Sequence, residues 1–375
     1  MKAKYIFRTL LIISLLNLTI IFNLSATVFT VDNAANTDDF AAASAGTMTF
    51  VKCIRLASAD ATGGAMGHRI YFNIGAAGQK ILSVTSIWQI LSNTNLNNLI
   101  IDGSTQPFAG IGPHVIFVAG GVTEGIAITS GVTNVTLNGL GFRDFQISIK
   151  MDNALSCKIT NCFLGTDNTG TTPQCTGCTG DGIRMLNGSQ FNIVGGGTAG
   201  TKNIIFKHLN GVYLTGGTTS DNTIGATAAG EANVISANTQ DGVYVFNAGT
   251  NNKIAGNIIG LDISGTVASA TYSNLYKGIH IQGSQSAIIG GATAGERNIV
   301  SGNGYGTGND GIFLETGCHS STITNCYIGL DITGIVPLAN KIRGILILAS
   351  NNCQVYSNFI TAHSEIGIYL QNSAG

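Results

Sequence analysis

Four ionisable residues recur at one position of a repeated phrase. Asp241, Lys277, Asp310 and Arg343 each stand immediately before the glycine of a Gly-aliphatic-x-aliphatic run. Asp181 and Asn210 hold the same place earlier in the chain. Paired carboxylates are how many polysaccharide hydrolases work, at ~5–5.5 Å for retention and ~6.5–9.5 Å for inversion. Acids here fall two repeats apart. If each repeat adds one strand spacing of ~4.8 Å, they lie about 10 Å apart, at or beyond the edge of the inverting range. Lys277 and Arg343 flank Asp310, so a charge-balanced ladder accounts for the same column without catalysis.

A second column lies two residues beyond the glycine. It reads Arg184, Tyr213, Tyr244, His280, Phe313, Leu346 and Tyr369. Aromatic residues are 7% of the chain, yet four of these seven are Tyr or Phe. Side chains alternate along a strand, so this position points away from the core. In-register rings would form a stripe on which the sugars of an extended polymer stack. A purely structural ladder, or a surface covered by long loops, would carry the same residues. The next outward column (Leu186, Thr215, Phe246, Gln282, Glu315, Leu348, Gln371) is mixed. His280 has no histidine partner at metal-ligand spacing and is expected at the surface.

Other groups suggest little chemistry. Asp167, Asp262 and Asp331 recur in an Asp-x-x-Gly phrase. They lie ~10–14 Å apart by repeat count, too far to share a metal, and read as turn formers. Calcium would need a carboxylate from a neighbouring repeat, and only the Glu231 and Glu296 loops offer one. No resident cofactor is expected. The eight cysteines include a Cys175-x-x-Cys178 pair, read as a local loop staple or buried thiols. Cys162 and Cys326 occupy equivalent places five repeats apart, beyond disulfide reach. Cys353 could reach only Cys318 or Cys326.

The elements that position these columns follow from the repeat. The phrase begins at Gly182, Gly211, Gly242, Gly278, Gly311, Gly344 and Gly367, about every 30 residues. A period of this size marks a solenoid, in which each unit buries its apolar face against its neighbours. The inward positions are uniformly apolar: Ile183, Val212, Val243, Ile279, Ile312, Ile345 and Ile368, then Met185, Leu214, Val245, Ile281, Leu314, Ile347 and Leu370. From about residue 125 each coil holds three short strand phrases, as at Gly242–Phe246, Asn252–Ala255 and Asn257–Gly260. Strands this short stack on equivalents in the next coil, giving three parallel sheets around a narrow core. Asn257 and Asn358 mark equivalent bends, and Cys162 and Cys326 take that same place. Residues 27–80 differ from the rest, with apolar Ile54, Ala57 and Ala61 at helical spacing, and read as an N-terminal cap with the first strands. Strands are expected to begin at Arg69–Phe72, and residues 81–375 form the solenoid. Gly375 follows a strand directly, so the natural protein is expected to continue.

Composition narrows the partners. The chain has 375 residues with 44% hydrophobic and 10% charged, 18 basic against 19 acidic. That balance gives no footprint for nucleic acid or an anionic membrane. Lys2, Lys4 and Arg8 precede an apolar stretch, Leu10 to Leu24, and small residues Ser25 and Ala26. Residues 1–26 therefore read as a secretory signal rather than a membrane anchor, and no later segment could span a bilayer.

Several phrases carry a family resemblance. Ile101-Asp102-Gly103-Ser104-Thr105-Gln106-Pro107, Cys53-Ile54-Arg55-Leu56, the Gly-Asn-x-Ile-Gly-Leu-Asp loop and the 294–303 run Ala-Gly-Glu-Arg-Asn-Ile-Val-Ser-Gly-Asn resemble bacterial secreted parallel β-helix repeat proteins. These are relatives of the pectate-lyase-like superfamily. The resemblance covers roughly residues 50–375. It implies an all-β, right-handed parallel β-helix with the Gly-aliphatic strand as its exposed functional sheet. Members include lyases, hydrolases and adhesins. A lyase of this kind needs clustered calcium-binding acids and a basic residue, and Asp241, Lys277, Asp310 and Arg343 are the nearest assembly.

The reading is a secreted or surface-displayed solenoid. It binds an extended polysaccharide or another surface through Arg184, Tyr213, Tyr244, His280, Phe313 and Tyr369, without chemistry of its own. The alternatives are a polysaccharide lyase or hydrolase, and an inert spacer.

Overall fold

A computed structural model describes residues 26–34, 48–60, 67–84, 90–196, 202–225, 232–306 and 309–373. Residues 1–25 of the segment read as a secretory signal (1–26), Ala61 and Glu231 lie outside them. Three parallel sheets of 11, 10 and 10 strands run the length of the molecule. Within a coil the chain makes one strand in each sheet in turn. Ile183–Leu186 lies in the front sheet, Ile193–Val194 in the second and Ile204–Phe206 in the third. Val212–Thr215 then re-enters the front sheet beside the strand one coil earlier. The chain is a right-handed parallel β-helix.

Register follows the sequence repeat. Ile279 pairs with Ile312 and Ile312 with Ile345, and all three side chains are fully buried. Each such aliphatic contributes ~1.5–3 kcal/mol of burial free energy. The second sheet turns Ile224, Ile254 and Ile289 into the core. The third sheet buries both faces, as in Ile204–Phe206. On its outer side the loops fold back to make a second apolar cluster around Phe206, Val234, Leu261 and Ile299.

Each bend carries a column of buried asparagines. Asn192, Asn222 and Asn252 turn the chain from the front sheet into the second. Asn203, Asn233, Asn257 and Asn298 turn it into the third, with amide-to-amide distances of 2.9, 2.9 and 3.0 Å. Asn238, Asn274, Asn303 and Asn340 turn it back to the front, at 2.8, 2.9 and 2.9 Å. Most of these amides donate both along the stack and to a backbone carbonyl, as Asn257 does to Asn298 Oδ1 at 3.0 Å and to Ile224 O at 2.9 Å. A buried bend otherwise strands its backbone groups. Cys162 and Cys326 do occupy the Asn203–Asn298 column, and their backbone N–H groups donate to Asn203 and Asn358.

The N-terminal region departs from the coil pattern. Helix α1 (Phe50–Ala59) starts at Thr49, whose hydroxyl accepts from Lys52 N at 3.2 Å. It buries Phe50, Cys53, Ile54 and Ala57. Phe50 packs against Phe72 at 5.8 Å and Phe117 at 5.0 Å, covering the apolar end of the first coils. Strands begin earlier than expected. Val28–Val31 pairs with Arg69–Phe72 as the outermost strand of the second sheet, and Lys80–Val84 opens the third. Their sequences lack the glycine phrase that marks later coils. No described helix is long and apolar enough to cross a membrane.

Candidate functional site on the front sheet

The predicted outward column is in register. Arg184, Tyr213, Tyr244, His280, Phe313, Leu346 and Tyr369 are successive lateral partners, and Lys150 extends the row before Arg184. Ring centroids are separated by 5.4 Å for Tyr213–Tyr244, 4.4 Å for Tyr244–His280 and 5.2 Å for His280–Phe313. The last two pairs are nearly parallel, at 9° and 5°. These rings therefore use their faces on one another and turn their edges outward.

Exposure differs along the row. Arg184, Tyr213 and Tyr244 are half-buried and Tyr369 is exposed. His280 and Phe313 are 5% and 9% exposed. The expectation of a surface His280 is corrected here: stacking on both sides and two carboxylates enclose the imidazole. A sugar cannot lie face-on against His280 or Phe313.

His280 is tied at both ring nitrogens. Nδ1 lies 3.0 Å from Asp241 Oδ2, and Nε2 lies 2.8 Å from Glu315 Oε2. An ionised carboxylate only accepts, so both contacts need a proton, and a neutral imidazole supplies one. Asp241 is itself buried, and its Oδ1 accepts from Lys277 N at 2.9 Å. Tyr244 donates to Gln282 Oε1 at 2.6 Å. Burial, with Tyr213, Asp241 and Glu315 nearby, pushes its phenol well above the usual range.

The remaining charges are matched in pairs. Arg184 Nε meets Asp181 Oδ2 at 2.6 Å, and Asn210 donates to the other carboxylate oxygen at 2.9 Å. Arg343 reaches Asp310 at 3.4 Å and Glu365 at 3.5 Å. Burial raises the Asp310 carboxyl above its ordinary value, opposed by Arg343 and Lys277. The Lys277 ammonium lies 5.4 Å from the Phe313 ring. The structure thus brings Asp241 to His280 and Asp310 to Arg343. Sequence reasoning missed Glu315 as the second partner of His280. The register contained the clue, since Glu315 follows Phe313 by two residues, one coil beyond His280.

The loop acids are turn formers. Asp262 Oδ1 accepts from Thr266 N at 3.1 Å and Val267 N at 2.9 Å, and Asp331 repeats the pattern with Ile335 and Val336. Partial burial opposes ionisation of Asp167 and Asp262, but these bonds outweigh it and hold both carboxyls below the usual range. Glu296 is engaged with Lys253 at 2.5 Å and with Thr293. Among the described residues no group of three or more His, Cys, Asp or Glu side chains is placed to hold a metal ion. Cys175 and Cys178 form a disulfide, while Cys53, Cys157, Cys162, Cys318 and Cys326 are buried free thiols. Burial pushes the Cys162 thiol up to about 12, which keeps it unreactive.

No family model matches the chain, and no curated protein matches it. Solved structures align with the chain at low similarity. The A-module of the mannuronan C-5 epimerase AlgE6 from Azotobacter vinelandii is 12% identical, with TM-score 0.44, over 86% of this chain and 93% of that one. PfbA, a surface adhesin of Streptococcus pneumoniae, is 13% identical, with TM-score 0.41, over 94% and 93%. At such identities the likeness is one of fold alone.

Proposed function

We propose that this chain is an exported solenoid that binds an extended polysaccharide along the front sheet. The observation carrying this reading is the half-exposed run Arg184–Tyr213–Tyr244, one side chain per coil in strict register. A polymer laid along the axis meets an equivalent contact every ~4.8 Å. Ring edges, the Lys277 ammonium and the polar Gln282 and Thr215 line its path. The basic-then-apolar start of the sequence supports export to the cell surface or medium. Binding without chemistry is favoured because Asp181, Asp241, Asp310 and Glu315 already hold a cation or imidazole. The test is glycan-array binding of Tyr213→Ala/Tyr244→Ala beside the unmodified chain. Loss of signal is expected, and an unchanged array would remove the stripe from the account.

One observation favours a second reading. Asp241, His280 and Glu315 form a carboxylate–imidazole–carboxylate chain running from a buried to a part-exposed acid, a geometry suited to moving a proton. Incubation with polyuronates and neutral glycans separates the readings. New reducing ends or unsaturated product, lost in His280→Gln, would replace binding by catalysis.

A further inference from the structure

The second sheet carries a concavity on its outer face. Its volume is about 500 Å³, within the range of small-ligand sites. Two glycines shape it. A Cβ at Gly290 would lie 1.9 Å from Thr324 O, and one at Gly291 would lie 2.5 Å from the Glu296 carboxyl carbon. Gly290, at φ 90° against a backbone oxygen, cannot carry a side chain, and at Gly291, which lines the concavity beside Ala292, one would have to displace the side chain of Glu296. Thr324 and Tyr356 continue the Gly290 row on the next two coils.

Three properties define what the concavity could hold. First, the Tyr356 ring is 52% exposed and has no ring partner among the described residues, whereas Tyr244 and Phe313 stack on His280. Second, the hydroxyls of Thr322, Thr324, Tyr356 and Ser357, all in its lining, make no hydrogen bond among the described residues. Third, no lining side chain is charged at neutral pH. The rim is also held rigid. Asn325 accepts from Arg297 at 2.8 Å and donates to Thr293 O at 2.7 Å, and Arg297 stacks on Tyr327 at 4.2 Å.

We infer that this concavity is a subsite for a neutral sugar unit. A pyranose has an apolar C–H face and a fringe of hydroxyls. The open Tyr356 face suits the first and the unpartnered hydroxyls suit the second. A uronate or sulfated sugar would bring a charge with no counter-charge in the lining, and the rim guanidinium of Arg297 is already engaged by Asn325 and Tyr327, which disfavours it. The site lies on a different sheet from the Tyr213–Tyr244 row and does not depend on it.

The test is calorimetric titration of the full chain with neutral gluco- and xylo-oligosaccharides and with an oligouronate. Circular dichroism confirms that each variant is folded. At least one neutral probe should bind with Kd near ~1 mM or tighter, and the oligouronate about tenfold more weakly. Tyr356→Ala and Thr322→Val/Thr324→Val, each made in the Tyr213→Ala/Tyr244→Ala background so that the front sheet does not contribute, should weaken the neutral probe about tenfold. Absence of neutral-sugar binding up to ~10 mM, equal binding of the oligouronate, or indifference to both second-sheet variants would overturn the inference.

Discussion

The bend columns and the front column share one register but follow opposite rules. In the bends the same amide repeats coil after coil, fully buried, each unit bonding to the next. On the front sheet the residue changes at nearly every coil, with only Tyr213 and Tyr244 repeating, and neighbours satisfy one another by ring stacking or by charge. Identical units can propagate a hydrogen bond indefinitely. Different units can close only a local set of contacts, so each coil offers a different chemistry outward. The scaffold lives in the uniform columns, and any selectivity lives in the varied one.

The sharpest way to break this contrast is to interrupt a uniform column. Asn257→Leu removes donors to Ile224 O and Asn298 and the acceptor for Asn233. A loss of about 4 kcal/mol is expected in chemical denaturation, since several buried groups are orphaned together. A loss under about 1 kcal/mol would mean that the ladder is not structural.

Next in size is an acid effect at a column end. His208 N donates to Asn238 Oδ1, and its Nε2 lies 2.9 Å from Ser148 Oγ. Burial pushes the imidazole down to about 4 from 6.5. A depressed histidine is neutral in the folded chain, so its contribution is intact above pH ~6.5 and fades as pH falls toward 4. About 3 kcal/mol should disappear over that window. His208→Asn should flatten the stability–pH curve there, measured as Tm against pH.

Smaller effects belong to the varied column. Glu315→Gln leaves His280 its Asp241 contact and should cost about 1 kcal/mol, because Glu315 is part-exposed. A much larger loss would show that the front column is as load-sharing as the bends. Cys326→Asn should have the least effect, a gain of about 0.5–1 kcal/mol, because the amide would join Asn298 to Asn358. Thermal melts of the reduced chain check it.

The coils were legible because two constraints coincide in them. Apolar residues such as Ile279, Ile312 and Ile345 must alternate with outward ones, and a glycine or asparagine must mark each bend. The first coils were less legible. Val28–Val31 and Lys80–Val84 bury Val31, Leu82 and Val84 without the glycine phrase, and their partners lie beyond residue 68. The outward direction of the front column followed from period two, but its exposure did not. Whether His280 is open depends on Asp241 and Glu315 reaching across coils, which spacing within one phrase does not encode. The concavity beside Tyr356 was invisible for a similar reason. It arises from side chains missing at Gly290 and Gly291, not from any residue that announces chemistry.

Helix α1 has a consequence for how the stack comes apart. It shields the apolar rows at one extreme, where Phe50 meets Phe72 and Phe117. Because each coil leans only on its neighbours, loosening travels coil by coil. Amide exchange in the first coils should therefore quicken in Phe50→Ala and return to its unmodified rate with distance from the helix.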